Sequence, residues 1–271
     1  MTASATARTI SLWSGTLATA CIAVVPALAS PIAIIEQEHV TGGVLDLAWE
    51  NGFGVSNNMR PVTLTSDNPA YMNPSGDHTV ASATNSAAPD SGGIILTAVD
   101  PMGASNYAWE AWIFTGDGST RRGLVVRADP TVQDFGGLPS RFISSYQLVI
   151  QSGLFQINFR KVLSGAPTTL RTWFASQLPA GSLPVNTWHK MKVIASGTIF
   201  RCFIDDFELT ALDGTPPVDD AALPTGWVGV YNFSAFTGGV PFYTDDLTLS
   251  DLGPTPAHAA SWGSVKTRWT K

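Results

Sequence analysis

Between Tyr107 and Leu209 the chain is a succession of short apolar segments cut by glycine, proline and serine, and few folds accept that pattern. Tyr107–Phe114, Arg122–Arg127, Tyr146–Gln151, Leu154–Val162, Trp188–Ala195 and Ile199–Ile204 are each six to nine residues long and rich in Val, Ile, Leu, Phe and Trp. β-Branched and aromatic residues suit a pleated, half-buried surface, and no helical period competes for the same residues. The spacing predicts an all-β fold, a stacked pair of antiparallel sheets. With no internal repeat and no linker inside 31–252, a single domain is expected over 30–253.

Alternation within the segments sorts side chains by face. In Tyr146–Gln151, Tyr146, Leu148 and Ile150 form one set and Gln147, Val149 and Gln151 the other. In Leu154–Val162, Phe155, Ile157 and Phe159 are apolar while Gln156, Asn158 and Arg160 are polar, and Ser152-Gly153 supplies a tight turn between the two strands. Such a hairpin buries one face and offers amides and a guanidinium on the other: a solvated surface, or the floor of a carbohydrate groove. Tyr107–Phe114 is aromatic on both faces, Tyr107 and Trp109 against Trp112 and Phe114, which suits a central strand. Glu110 is its only acid, and a lone carboxylate there either meets an arginine such as Arg127 or opens onto a site. Long irregular loops are often functional, so Asn57–Gly93, with Tyr71 and Met72 at its middle, is a further candidate for sugar stacking.

The ends read differently. Arg8 precedes an apolar run, Leu17 to Leu28, that closes on Ala27-Leu28-Ala29, the layout of a signal peptide cleaved after Ala29. No later stretch reaches the ~18 apolar residues of a membrane span, so a secreted protein is expected, extracellular or periplasmic. Cys202 is then the one cysteine left, inside a strand, where it is expected to act as a small buried hydrophobe. After Pro254 and Pro256 comes a tail with Lys266, Arg268 and Lys271 beside Trp262 and Trp269, whereas all 21 acidic residues precede it. That asymmetry fits a peptide that docks to an export or attachment system, or a plain disordered end. The acidic body excludes a nucleic-acid partner, since phosphate binding needs clustered Lys and Arg.

Six blocks carry a family resemblance: Arg122-Gly123-Leu124-Val125-Val126-Arg127, Tyr146–Ile150, Asn186–Val193 around Trp188 and His189, Phe203-Ile204-Asp205-Asp206, Gly226–Tyr231 and Phe242–Leu249. In that order they resemble the concanavalin A-like lectin/glucanase superfamily, with its laminin-G-like and sugar-hydrolase-related bacterial members. The resemblance implies a jelly-roll sandwich with Trp188 in its core, a hairpin turn at Asp205-Asp206, and a sheet face on which relatives bind or cut glycans. It also implies a structural calcium held by an aspartate like Asp245, with Glu50 or Asp46 as its partner. Retaining glycanases of that fold place two glutamates on one strand, carboxyls ~5 Å apart. Here Trp109-Glu110-Ala111-Trp112 offers one carboxylate, and no Gly-x-Ser-x-Gly, His-Glu-x-x-His or phosphate loop stands elsewhere.

The expected function is a secreted, non-catalytic module that binds a glycan or cell-surface partner. Its binding floor is expected at Glu110, Trp112, Arg127, Gln147, Gln156, Asn158 and Arg160. The alternatives are a glycoside-cleaving enzyme using Glu110 or Asp residues in the loops, and a structural or adhesive surface protein anchored by the tail.

Overall fold

The computed structural model describes residues 33–253 apart from 39, 41–44, 46, 53–54, 86–92, 102–103, 136, 213, 215 and 235–240. The segments expected to be a leader (1–29) and a docking tail (254–271) lie outside the described residues, as does Asp46.

Strands β1 (Ala33–Glu38), β2 (Glu50–Asn51), β3 (Val55–Thr63), β4 (Thr79–Asn85) and β5 (Gly93–Val99) come first. They are followed by β6 (Tyr107–Phe114), β7 (Thr120–Ala128), β8 (Gln133–Phe135), β9 (Leu138–Ser140), β10 (Ser145–Gln151), β11 (Gln156–Leu163) and β12 (Ala166–Phe174). Last are β13 (Trp188–Ser196), β14 (Ile199–Ile204), β15 (Phe207–Glu208), β16 (Val218–Asp219), β17 (Trp227–Ser234) and β18 (Pro241–Asp251). One sheet has nine strands in the order β15-β14-β13-β6-β18-β4-β3, with β1 on β18 and β16 on β14. The other has seven, β12-β11-β10-β7-β17-β5-β2. Their pairings are antiparallel throughout.

The chain passes between these two sheets at β1–β2, β2–β3, β4–β5, β5–β6, β6–β7, β12–β13, β16–β17 and β17–β18, and β6 beside β18 in one sheet faces β7 beside β17 in the other. That winding is the expected jelly-roll sandwich of two antiparallel sheets. The inward residues of both sheets share one core: Trp109, Ile113, Val193 and Phe242 from the first, Leu124, Leu148, Phe159 and Trp173 from the second. Among the described residues no helix is long and apolar enough to cross a membrane.

The six sequence segments are all strands, with Tyr107–Phe114 and Ile199–Ile204 at the expected bounds. Alternation holds along β10, where Tyr146, Leu148 and Ile150 are the core set. Asp205 and Asp206, at φ 47 and 63, make the expected turn between β14 and β15.

Two local expectations are corrected. The link after Gln151 is a 3-10 turn, Ser152–Leu154, closed by Phe155 at φ 51, so Phe155 is 64% exposed and only Ile157 and Phe159 enter the core. Trp188 faces outward instead of plugging the core: its indole N–H donates to the Ala70 carbonyl at 3.1 Å, and it packs with Phe114, Leu64 and Val80 under residues 64–78. His189 is the inward neighbour on β13 and is buried. Much of the Asn57–Gly93 segment is likewise ordered, as β3, β4 and the intervening turn that covers the nine-stranded sheet.

Candidate functional site

The outer face of the seven-stranded sheet carries the amide row that alternation assigns there. Register sets Gln147 opposite Arg160, Val149 opposite Asn158 and Gln151 opposite Gln156. Part of this face is roofed: Val125, Val149 and Tyr231 are buried together with Phe142, which stands just after the β8–β9 hairpin. Beside the roof a cleft of about 180 Å³ stays open, lined chiefly by Arg121, Phe135, Gln147, Arg160, Tyr231 and Phe233. Phe135 packs straight onto Gly165, where a Cβ would stand 2.0 Å from its ring, so only glycine admits this wall.

Hydrogen bonds fix the cleft's polar side. Arg160 donates from Nε to Gln147 Oε1 at 2.8 Å, and Gln147 donates from Nε2 to Ser145 Oγ at 3.0 Å. The Arg160 guanidinium lies 4.5 Å from the centre of the Tyr231 ring, and that of Arg121 lies 5.1 Å from the centre of Phe233. Each arginine thus sits over an aromatic ring within cation–π range, a contact that uses none of its N–H donors. Asn158 and Gln156 share the sheet face but not the cleft lining: Asn158 accepts from Thr172 Oγ1 at 2.7 Å, and Gln156 donates to Gln151 Oε1 at 3.1 Å.

The other expected floor residues are elsewhere. Glu110 and Trp112 stand on β6 in the opposite sheet, so the seven residues do not make one floor. Glu110 meets Lys192 at 2.8 Å and Lys190 at 3.6 Å rather than an arginine. Arg127 is 0% exposed: its guanidinium donates to the carbonyls of Gly197 and Leu223 and lies over Phe200 inside the sandwich. The cause is a bulge. Parity from Arg121 and Val125 sends Arg127 outward, but its φ of 52 and the register shift opposite, between Trp227 and Gly229, turn it in. Arg121, Tyr231 and Phe233 are the cleft residues that sequence reasoning missed, because strand neighbours distant in sequence bring them to Gln147 and Arg160.

Asp245 lies under the 64–78 turn, almost fully buried, and burial raises its carboxyl above the usual range. Its Oδ2 accepts from Ser75 N–H at 3.1 Å, Ser75 Oγ at 2.9 Å and Asn73 Nδ2 at 2.9 Å. The Asn73 amide nitrogen also stands 2.8 Å from Ser75 Oγ, 3.1 Å from the Thr79 carbonyl and 3.2 Å from Asp77 Oδ1. Two amide hydrogens cannot serve four acceptors, and the Asn73 Oδ1 accepts from His78 N–H at 3.1 Å; a hard cation could gather the four surrounding oxygens. Burial raises Asp77, but hydrogen bonds from Thr79 N–H, Ser75 and Asn73 outweigh it and hold the carboxyl below its ordinary value. Residues 73, 75, 77 and 79 alternate as calcium-loop ligands do, the last through its backbone carbonyl. The donor set therefore fits calcium, although no three of His, Cys, Asp and Glu converge among the described residues. Glu50 is not part of it: it pairs with Arg141, and its strand β2 belongs to the seven-stranded sheet.

Three remaining candidates are internal contacts. His189 Nδ1 bonds Asp205 Oδ2 at 2.8 Å. Tyr71 stacks on His78, ring centres 3.9 Å apart, instead of standing free, while Met72 is 77% exposed. Cys202 is buried in the core, and burial pushes its thiol well up, away from thiolate reactivity.

No protein-family model matches the chain, and no curated protein matches it. Among solved structures it is similar to the carbohydrate binding module CBM66 from Bacillus subtilis, at 15% identity, covering 76% of this chain and 98% of that one, with a TM-score of 0.49. It is also similar to a Bacillus subtilis protein of unknown function with a galectin-like fold, at 12% identity, 80% and 95% coverage and a TM-score of 0.47. A Bacteroides ovatus mixed linkage glucan GH16 in complex with its product is similar at 9% identity, 80% and 100% coverage and a TM-score of 0.48. With identities at or under 15% and TM-scores at or under 0.49, these likenesses leave the function to be read from the cleft itself.

Proposed function

We propose that this chain is a secreted, non-catalytic carbohydrate-binding module whose binding surface is the cleft over Gln147. The observation that carries the reading is the cleft itself: oriented donors on Arg160 and Arg121, held by Gln147 and by two aromatic faces, around a space of about 180 Å³. Drug-sized ligands occupy ~300–1,000 Å³, so a single sugar ring is the scale that fits. Such a site retains a polymer by one unit and leaves the rest of the chain on the surface. The glutamate that a hydrolytic reading would need, Glu110, is on the far sheet between two lysines.

The test is affinity electrophoresis of the full-length chain through gels holding neutral or acidic polysaccharides. Retention on at least one polymer is expected, with Phe233→Ala weakening it about tenfold, near 1.4 kcal/mol. Unaltered retention by that variant would place binding elsewhere, and no retention on any polymer would end the carbohydrate reading.

A structural calcium ion belongs to the same reading. Asp77, Asp245, Ser75 and the Thr79 carbonyl would hold it, Asn73 joining only with its amide turned to offer the oxygen, and its charge would tie the 64–78 turn to β18. Calcium at about a hundred times its Kd adds ~2.7 kcal/mol. For a domain of this size that is about 5–10 °C in Tm. The expected result is that rise over a chelated sample, and its loss in Asp77→Asn. A Tm indifferent to both calcium and chelator would remove the ion.

A further inference from the structure

The cleft's charge does not match the rest of the protein. The chain carries a formal net charge of −6 and 21 acidic residues, yet among the described residues no Asp or Glu lines the cleft. Five other cations meet acids: Arg141 with Glu50, Arg201 with Glu208, Lys161 with Asp220, and Lys190 and Lys192 with Glu110. Arg121 and Arg160 have no carboxylate partner among the described residues. The acids of the adjoining hairpin region are spent on it: Asp129 accepts from Thr131 N–H and Gln133 Nε2, and Asp134 from Gly137 N–H.

The donor count points the same way. A guanidinium has five N–H donors and no acceptor. Arg160 uses one of them, on Gln147, and Arg121 makes no hydrogen bond among the described residues. The cation–π contacts with Tyr231 and Phe233 hold both guanidinium groups without consuming any donor. Two guanidinium groups with donors left over beside one small space match a planar two-oxygen anion, which a guanidinium takes with parallel N–H bonds. A neutral sugar leaves both charges uncompensated in a partly desolvated cleft.

We propose that the cleft selects a carboxylated sugar, a uronic acid unit of an acidic polysaccharide, its carboxylate forked by Arg160 or Arg121. This rests on the carbohydrate reading above and narrows it to one ligand class. Gln147 is then a positioning residue that aims Arg160.

The experiment titrates the full-length chain with polygalacturonate and alginate, with their carboxyl-reduced forms, and with dextran sulfate. Binding to the polyuronates is expected, weaker by about tenfold or more once the carboxyls are reduced. Arg160→Gln and Arg121→Gln should each weaken it without moving the thermal midpoint, and Arg160→Lys should restore only part, since lysine keeps the charge and loses the fork. Equal affinity for a carboxyl-reduced polymer would overturn the acidic assignment and leave carbohydrate binding standing. Capture by dextran sulfate with the polyuronates refused would overturn the carboxylate. Refusal of every polymer would remove both readings at once.

Discussion

Trp109→Ala is expected to lower the unfolding free energy by about 3–5 kcal/mol, the range for deleting a large aromatic from a packed core. Trp109 is 0% exposed at the centre of β6, flanked in register by Val193 of β13 and Leu249 of β18. Its indole N–H donates to the Gly229 carbonyl at 2.8 Å, so one side chain spans the sandwich from the nine-stranded sheet to β17 of the other. The substitution leaves a cavity and an unpaired carbonyl together. Domains typically hold ~5–15 kcal/mol in all, so the variant should sit near the edge of folding. Trp109→Phe should recover most of the packing and leave only the lost hydrogen bond, about 1–3 kcal/mol. Urea unfolding of the three proteins decides it: a loss below about 1 kcal/mol for alanine would mean that Trp109 does not key the two sheets.

The second large effect is expected at Arg122. Its guanidinium is buried at one end of the sandwich and donates to the Phe114 carbonyl at 2.6 Å, the Pro241 carbonyl at 2.8 Å and Asn232 Oδ1 at 3.0 Å. It thereby joins β7 and β17 to the end of β6 and the start of β18. Burial pulls its pKa down to about 10, so it stays charged at neutral pH. Removing it in Arg122→Ala strands three acceptors, and breaking a buried charged cluster typically costs ~3–5 kcal/mol. Lysine should rescue little, because one ammonium cannot reach three acceptors that a planar fork serves. An Arg122→Lys protein with an unchanged urea midpoint would refute the account.

What could be read in the sequence was local. The β10–β11 amide row and the Asp205-Asp206 turn follow from alternation and turn chemistry within a few residues. Alternation separates two sets without saying which is inside, so Trp188 and His189 come out exchanged; the 64–78 turn supplies the apolar cover that Trp188 needs. The edge strand β12 escaped notice because its first four residues, Ala166 to Thr169, are exposed and carry no large apolar side chain. Sheet order decides the remainder. Glu110 and Gln147 belong to different faces, and Arg121, Tyr231 and Phe233 reach one cleft, through pairings between strands more than ninety residues apart in sequence, such as Trp227 with Ala128 and Asp251 with Tyr107. The loop around Asp245 was legible in principle, since Asn73, Ser75, Asp77 and Thr79 alternate, but its partnership with β18 was not.

The position of β18 also sets an order of events. This strand, Pro241–Asp251, lies inside the nine-stranded sheet, between β6 and β4 and with β1 paired to its far half. The first described strand therefore finds its partner only in the last, and contacts so remote in sequence make folding slow, on the order of milliseconds to seconds. Until residues 241–251 arrive, β1, β4 and β6 have no common neighbour, and the nine-stranded sheet cannot close around its core. A growing chain of this design cannot complete its nine-stranded sheet before residue 251 has been made.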